Sequence, residues 1–189
     1  MKHGLDKFNR LVEAFESLPT IGKKSATRLA FHICMKDPYT GMKMSHAIES
    51  ALASIQRCQR CGCMSEHELC HVCVDDTRDP EKLCIVENAK DVLIIEENAP
   101  FSGKYFVLSA LEEENVKSLI SVVEEGVKEV VFAMTPSIAN DAVILFIEDK
   151  LQKYDLAFTK IAQGVPTGVS LENVDMLSLS RALSDRVKV

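Results

Sequence analysis

The stretch CQRCGCMSEHELCHVC, residues 58–73, gathers five of the chain's seven cysteines. The N-terminal run MKHGLDKFNRLVEAFESL alternates charged residues with helically spaced apolar ones and does not read as a signal peptide. The expected compartment is the cytoplasm, where clustered thiols serve metal bonding and not cross-linking. Cys58-x2-Cys61 and Cys70-x2-Cys73 form two identical pairs separated by eight residues. Each pair can wrap its backbone so that both sulfurs point inward, and two such knuckles complete the tetrahedral sulfur shell that suits zinc. Four thiolates leave no open coordination position, so the expected ion is structural, one per chain.

Cys63, His67 and His71 stand close enough in sequence to compete as ligands. The quartet Cys58, Cys61, Cys70 and Cys73 is preferred because it uses one knuckle twice. Cys63 then reads as a bystander thiol and the two histidines as solvated loop residues. A redox C-x2-C is the alternative, although such motifs rarely come in pairs. Cys34 and Cys84 fall on apolar helix and strand positions, the ordinary place for a small buried thiol. The residues around the metal are too few to bury a core of their own. Metal binding is expected to supply their folding energy, on the order of 10 kcal/mol, and to pin a helical part to an α/β part.

Charge is unevenly spread along the chain. The net charge of −6 conceals nine Lys/Arg against five Asp/Glu in residues 1–57, two against five in 58–80, and eleven against eighteen in 81–189. A basic N-terminal part suits a polyanion, and an acidic remainder suits a protein partner or a solvated surface. No segment approaches the roughly 18 apolar residues of a membrane span, so no membrane partner is expected.

The first part reads as helices. Leu5, Phe8, Leu11, Val12 and Phe15 line one helical face, and Leu18-Pro19-Thr20-Ile21-Gly22 breaks it. A second helix after Gly22 carries Ala26, Leu29, Ala30 and Ile33 inward. Pro38 and Gly41 mark a further turn, and Met44, Ala47, Ile48, Ala51, Leu52 and Ile55 outline a third helix. After Pro80 the pattern changes. Strand-like runs LCIVE (83–87), KYFVLSA (104–110), EVVFAM (129–134) and LAFTKIA (156–162) alternate with helix-like DVLIIEEN, EENVKSLISVVEEG and IANDAVILFIEDKLQKY. This alternation predicts a parallel sheet covered on both faces, followed by a Gly/Pro loop and a closing amphipathic helix.

LPTIGKKSATRLAFHI, residues 18–33, resembles the helix-hairpin-helix DNA-binding motif, whose core reads apolar-x-Gly-apolar-Gly. Gly22 lets the backbone approach a phosphate, and the next helix presents free N–H groups with Lys23 and Lys24 at its start and Arg28 one turn on. Such contacts hold phosphates and do not read bases. Thr20 stands where the first glycine is usual. A plain helical hairpin with solvated lysines is the competing reading, and it leaves cations at a helix N-terminus without an anion to offset them.

Taken in order, the hairpin, the four-cysteine spacing, LCIVENAKDVLIIE, AMTPSIANDA and IAQGVPTGVSLENVD make the whole chain resemble the RecR family of bacterial recombination mediators. The resemblance implies an α+β multidomain fold. Residues 1–57 would form a helical domain with the helix-hairpin-helix motif, 58–80 a small four-cysteine zinc finger, 81–163 an α/β Toprim domain, and 164–189 a C-terminal loop and helix. Catalytic Toprim proteins carry a glutamate after the first strand and a later DxD pair for magnesium. Glu87 takes the first position, but Thr135-Pro136-Ser137 stands where DxD would be. One carboxylate is a poor magnesium cage, so no catalytic residue and no enzyme activity is expected. The family's acidic partner-binding Glu-Gly-Glu here reads Ala139-Asn140-Asp141, which leaves Glu87 and Asp141 as partner-binding candidates. The closing segment is of the kind described as Walker B-like. No G-x4-G-K-[ST] accompanies it, and Glu172 and Asp175 read as loop and cap residues.

The implied function is non-sequence-specific DNA binding as a ring-like, clamp-forming homo-oligomer in recombinational DNA repair. It would act with RecO and RecF to load recombinase onto single-stranded DNA. Two other classes stay open on the residues alone. One is a protein-only scaffold, and the other is a metal-dependent nuclease or primase relative that shares the fold.

Overall fold

The computed structural model describes residues 4–99, 101–162, 164–165, 167–184 and 186, and the chain divides into two compact units at Ile55/Gln56. Gln163 and Pro166 of the closing loop, and the outer ends of the first and last expected segments, lie outside the described residues.

In the helical unit, α1 (Asp6–Glu16) packs on α2 (Lys23–Phe31). Their contact is built from small against large. Ala26 and Ala30 are fully buried together with Val12, and Phe8, Leu11, Phe15 and Ile21 close over them. Leu29, expected on the same inner face, is instead exposed. A π-helical turn (His32–Lys36) follows α2 directly. Its wider turn carries residues off the face that α-helical spacing assigns them, so Cys34, expected to be buried, lies exposed.

α3 spans Pro38–Ser54, so Pro38 and Gly41 do not form a turn there. Asp37 caps the helix by accepting from the Thr40 N–H at 3.0 Å, and Pro38 occupies the first helical position, where it has no hydrogen bond to lose. Gly41 is inside the helix because Ile33 crowds it: an added Cβ would stand 2.3 Å from Ile33 Cγ2. No residue of α3 is buried, and Met44, Ile48 and Leu52 of its expected inner face are exposed.

The second unit is built on a four-stranded parallel sheet, ordered β4-β3-β5-β6, from β3 (Asp79–Val86), β4 (Gly103–Val107), β5 (Glu129–Ala133) and β6 (Ala157–Lys160). The crossovers are α5 (Ala89–Asn98), α6 (Glu113–Val123) and α7 (Ile138–Leu151). Cys84 lies opposite Tyr105 and Val131, and Val86 opposite Val107 and Ala133. Because side chains alternate along a strand, the two faces have different covers. Leu83, Ile85, Phe106, Val130 and Phe132 pack under α6 and α7 with Leu119, Val123, Ile147 and Leu151. Cys84, Val86, Tyr105 and Val107 face the other way, onto Val92 of α5 and the cysteine segment.

That segment, expected to lack a core, therefore shares one with the sheet. It consists of the two-residue pair β1 (Gln56–Arg57) and β2 (Met64–Ser65) and the short helix α4 (His71–Val74). The chain closes with a 3-10 turn (Leu171–Asn173) and α8 (Met176–Ser184). Asp175 accepts from the Ser178 N–H at 2.9 Å and serves as the cap of α8.

The hairpin between α1 and α2 contains a strained residue. Thr20 has φ +68°, the left-handed region where a β-branched side chain is a true outlier. Replacing it with glycine removes a clash worth about 1–2 kcal/mol and costs about 0.5–1 kcal/mol in unfolded-chain entropy. Thr20→Gly is thus expected to stabilise the helical unit by about 1 kcal/mol, measured as a higher urea midpoint. An unchanged or lower midpoint would show that Thr20 is not strained in solution.

Candidate functional site

The first cysteine knuckle is shaped by backbone. The Gly62 N–H donates to the Cys58 carbonyl at 2.9 Å, and the Cys58 N–H donates to the Cys63 carbonyl at 2.7 Å. Gly62 adopts φ +74°, a conformation glycine reaches without cost. In the second knuckle the Cys73 and Val74 N–H groups donate to the Cys70 carbonyl at 3.0 and 3.2 Å, winding α4. The Gln59 N–H, donating to the Glu68 carbonyl at 2.9 Å, ties the two arms together.

These turns bring the sulfurs of Cys58, Cys61, Cys70 and Cys73 within 4.8 Å of one another, all four residues buried. Cys58 and Cys73 Sγ are 3.8 Å apart, and Cys61 and Cys70 Sγ are 3.5 Å apart. Zn–S bonds of about 2.3 Å place tetrahedral sulfurs about 3.8 Å apart, so the four could hold a metal ion of this kind. The Cys70 N–H also donates to Cys58 Sγ at 3.3 Å, a contact that favours thiolate.

Hydrogen bonding from Cys61 holds the Cys70 thiol far below its ordinary range. Cys63 and Cys70 push Cys61 up, and Cys61 and Cys70 push Cys73 up. Four thiolates gathered this closely would need a cation at their centre.

Cys63 is buried beside the quartet but outside it. Hydrogen bonding from Cys61 lowers its thiol, while Cys70 and burial outweigh that and push it up to about 12. Burial alone pushes Cys84, beneath the cluster, up to about 12. His67 and His71 are exposed.

The cluster is fastened to the edge strand β4. The Val107 N–H donates to the Cys61 carbonyl at 2.8 Å. Lys104 Nζ donates to the carbonyls of Val72, Cys73 and Asp75 at 2.9, 3.3 and 2.6 Å. Just beyond, Arg78 pairs with Glu96 of α5 and donates to the Phe101 and Gly103 carbonyls at 3.0 and 3.2 Å, while the Tyr105 hydroxyl donates to Glu96 at 2.5 Å. Sequence reasoning passed over Lys104 and Arg78. The available signal was a lysine inside the otherwise apolar strand GKYFV.

A second place of interest lies at the carboxyl ends of β3 and β5. The chain moves from β3 to one side and then returns to the other, and such a reversal opens the crevice where α/β sheets commonly bind ligands. Glu87 follows β3, and its carboxylate accepts from the Thr135 N–H at 2.7 Å. That bond to the Thr135 backbone holds its pKa below the ordinary glutamate value. Ser137 caps α7 by accepting from the Asn140 N–H at 3.1 Å, and Asn140 Nδ2 donates to the Thr135 carbonyl at 2.7 Å. Asp141, in the first turn of α7, lies 3.5 Å from Arg181 Nη2 and 4.0 Å from Lys160 Nζ. Glu87 thus bonds to backbone, and Asp141 is ion-paired.

In the helical unit, Gly22 is the N-cap of α2 with extended backbone (φ −85°, ψ 164°) and offers no side-chain cap. The first turn of α2 carries no acid. Its leading N–H groups open to solvent beside Lys23 and Lys24, with Arg28 also exposed. Among the described residues none of these three cations makes an ion pair.

Comparison with known proteins agrees with both parts. Residues 8–52 match the family described as RecR, helix-hairpin-helix, and residues 81–162 match the Toprim domain. The chain is 55% identical over 190 residues to recombination protein RecR of a Nitratiruptor species, covering all of both chains. It is 50% identical over the same span to recombination protein RecR of Campylobacter jejuni subsp. jejuni serotype O:23/36. With that of Helicobacter pylori (strain Shi470) it shares 46% over 188 residues, covering 99% of this chain and 97% of the other. With these likenesses running end to end over the hairpin, the cysteine quartet and the parallel sheet, the chain belongs to the RecR family of recombination proteins.

Proposed function

We propose that this protein is a DNA-binding mediator of recombinational repair that holds duplex or single-stranded DNA by its phosphates and does not cut it. The observation that carries the reading is the N-terminus of α2: uncapped, free of acids, and flanked by three exposed cations, Lys23, Lys24 and Arg28. A helix start of this kind attracts phosphate through its N–H groups and its dipole, and it carries no means of reading bases. Cleavage is left out because Glu87 is already bonded to backbone and the positions that would complete a magnesium cage are Thr135 and Ser137.

Zinc is the metal assigned to Cys58, Cys61, Cys70 and Cys73, on the soft four-thiolate donor set. It would act structurally, since no ligand position is left for water. Self-association is supported by α3, whose stripe of Met44, Ile48 and Leu52, continued by Ile55 just beyond it, is exposed at helical spacing. A second copy covering this face is the first step toward a ring-like clamp. Recruitment of RecO and RecF, followed by loading of recombinase onto single strands, is assigned to the acidic second unit. Asp141 and Glu87 would be the contacts there, Glu87 while held by the Thr135 N–H. A basic partner surface would have to compete with Arg181 and Lys160 for the Asp141 carboxylate.

Lys24→Ala and Arg28→Ala are each expected to weaken DNA binding about fivefold at low salt, taking a charge-assisted phosphate contact as about 1 kcal/mol, with no change in far-UV circular dichroism. Affinity of the wild type should fall by about 0.9 log unit per log unit of salt for each duplex phosphate neutralised. A flat salt response, or variants that bind like wild type, would defeat the assignment of α2 as the DNA grip.

Elemental analysis of the purified protein should find one zinc per chain, and Cys70→Ser should lower both zinc content and thermal stability. A metal-free protein that unfolds at the same temperature as the zinc-loaded one would refute the structural role. Ile48→Glu should shift the mass in solution toward smaller species, and an unchanged mass would remove α3 as the self-association face.

Glu87 gives a pH signature. Its folded pKa is lowered, so its contribution is present above the unfolded glutamate value and lost as pH falls through the lowered one. Glu87→Gln should therefore cost on the order of 1 kcal/mol near neutral pH, discounted for partial exposure. That difference should shrink below about pH 4, where a glutamate in the unfolded chain is itself protonated. A pH-independent difference would show that the carboxylate's charge is not what holds the β3–β5 junction.

A further inference from the structure

The sulfur quartet has an outer partner that the ligand spacing does not announce. Lys104 sits on β4, half-buried, and its ammonium meets three backbone carbonyls: Val72 at 2.9 Å, Cys73 at 3.3 Å and Asp75 at 2.6 Å. An ammonium has three donors and no acceptor, so these carbonyls use its full capacity. They belong to the end of α4, where helical carbonyls have no partner within the helix. They also bracket Cys73, one of the four sulfur residues. The other arm is held differently, by the Val107 N–H on the Cys61 carbonyl.

Two physical effects follow. First, the clamp fixes the backbone that aims Cys70 and Cys73 and keeps that arm in its ligating shape. Second, four thiolates around a dication carry two net negative charges in a buried place, and a nearby cation offsets them. Among the described residues the nearest carboxylates do not take Lys104 away from this task. Asp75 is bonded to the Thr77 N–H and hydroxyl and lies near Arg78, and Glu96 is paired with Arg78 and Tyr105.

We infer that Lys104 is a positioning residue of the metal centre, clamping the Cys70–Cys73 arm so that the bound ion is lost slowly. This rests on the zinc reading above. Outer-shell partners of metal ligands commonly change metal retention by about 10–100-fold when removed, and the lower end suits a contact that passes through backbone carbonyls.

The test uses the full-length, zinc-loaded protein challenged with excess 4-(2-pyridylazo)resorcinol, reading zinc release by absorbance. Lys104→Met, which keeps the stem and drops the charge and donors, should release zinc about tenfold faster than wild type. Lys104→Arg, which keeps a cation on a long stem, should stay within about threefold of wild type. Amide exchange should rise over residues 70–75 in Lys104→Met and stay unchanged over 58–63. Equal release from Lys104→Met and wild type overturns the inference and leaves the zinc reading standing. So does an arginine variant as fast as the methionine one, which would make the stem's fit the cause. If Lys104→Met does not fold, Lys104→Gln takes its place under the same two outcomes. Absence of zinc from the wild type, measured before any variant is compared, would instead bring down the zinc reading itself.

Discussion

A parallel sheet must be covered on both faces, and in this protein one face is covered largely by sulfur. The α6–α7 face is closed by ordinary aliphatic packing around Leu119, Val123, Ile147 and Leu151. The opposite face, formed by Cys84, Val86, Tyr105 and Val107, receives from α5 only one buried residue, Val92. The other buried cover is Cys58, Cys61, Cys63, Cys70, Val72 and Cys73, with Ala89 and Ile95 of α5 and Phe101 partly buried against it. The cysteine segment is therefore a layer of the α/β core as well as a cluster that could hold a metal ion. Anything that opens the knuckles also exposes the underside of β3 and β4, which links the folding of the cysteine segment to that of the sheet.

That linkage explains why so many polar contacts converge on β4. It is an edge strand, paired on one side with β3 alone. An edge strand with unsatisfied backbone is exposed to pairing with other chains. Here the Val107 N–H goes to the Cys61 carbonyl, and Lys104 takes three carbonyls of the second arm. Arg78, Glu96 and Tyr105 lock the entry to the strand from α5. Two backbone groups of this edge, the Val107 N–H and the Gly103 carbonyl, are thus taken up by the cysteine arm and by Arg78.

Most of the architecture was readable from periodicity. The four apolar runs became the four strands within a few residues at each end, and the three intervening patterns became α5, α6 and α7. The quartet was readable because C-x2-C carries its own geometry. What was missed shares a cause: positions whose fate depends on a neighbour distant in sequence. Gly41 looks like a turn residue until Ile33 is seen beside it. Cys34 looks buried until the π-helical turn rotates it outward. The third helix has an apolar stripe, but a stripe does not say whether the chain itself or another copy covers it. Lys104 is invisible to any local pattern, because its partners lie about thirty residues earlier. Thr20 shows the converse. The motif pattern asked for glycine there, and the backbone took the left-handed turn despite the side chain.

At the β3–β5 junction, too, polar side chains hold the chain's own shape. The strand-order reversal makes this crevice the natural site for a ligand, and several of its polar groups bond to the chain itself. Glu87 receives the Thr135 N–H, Ser137 caps α7, and Asn140 answers the Thr135 carbonyl. Together they form a closed set of hydrogen bonds joining the ends of two central strands to the start of α7. Hydrogen bonds of this kind rigidify the junction. What the second unit then offers outward is surface: Asp141 on α7, balanced against Arg181 and Lys160, within an acidic stretch of chain. Opposite charge resides in the helical unit, at the open end of α2. The charge is thus divided along the chain: exposed cations at one helix start in the first unit, and an acidic excess in the second.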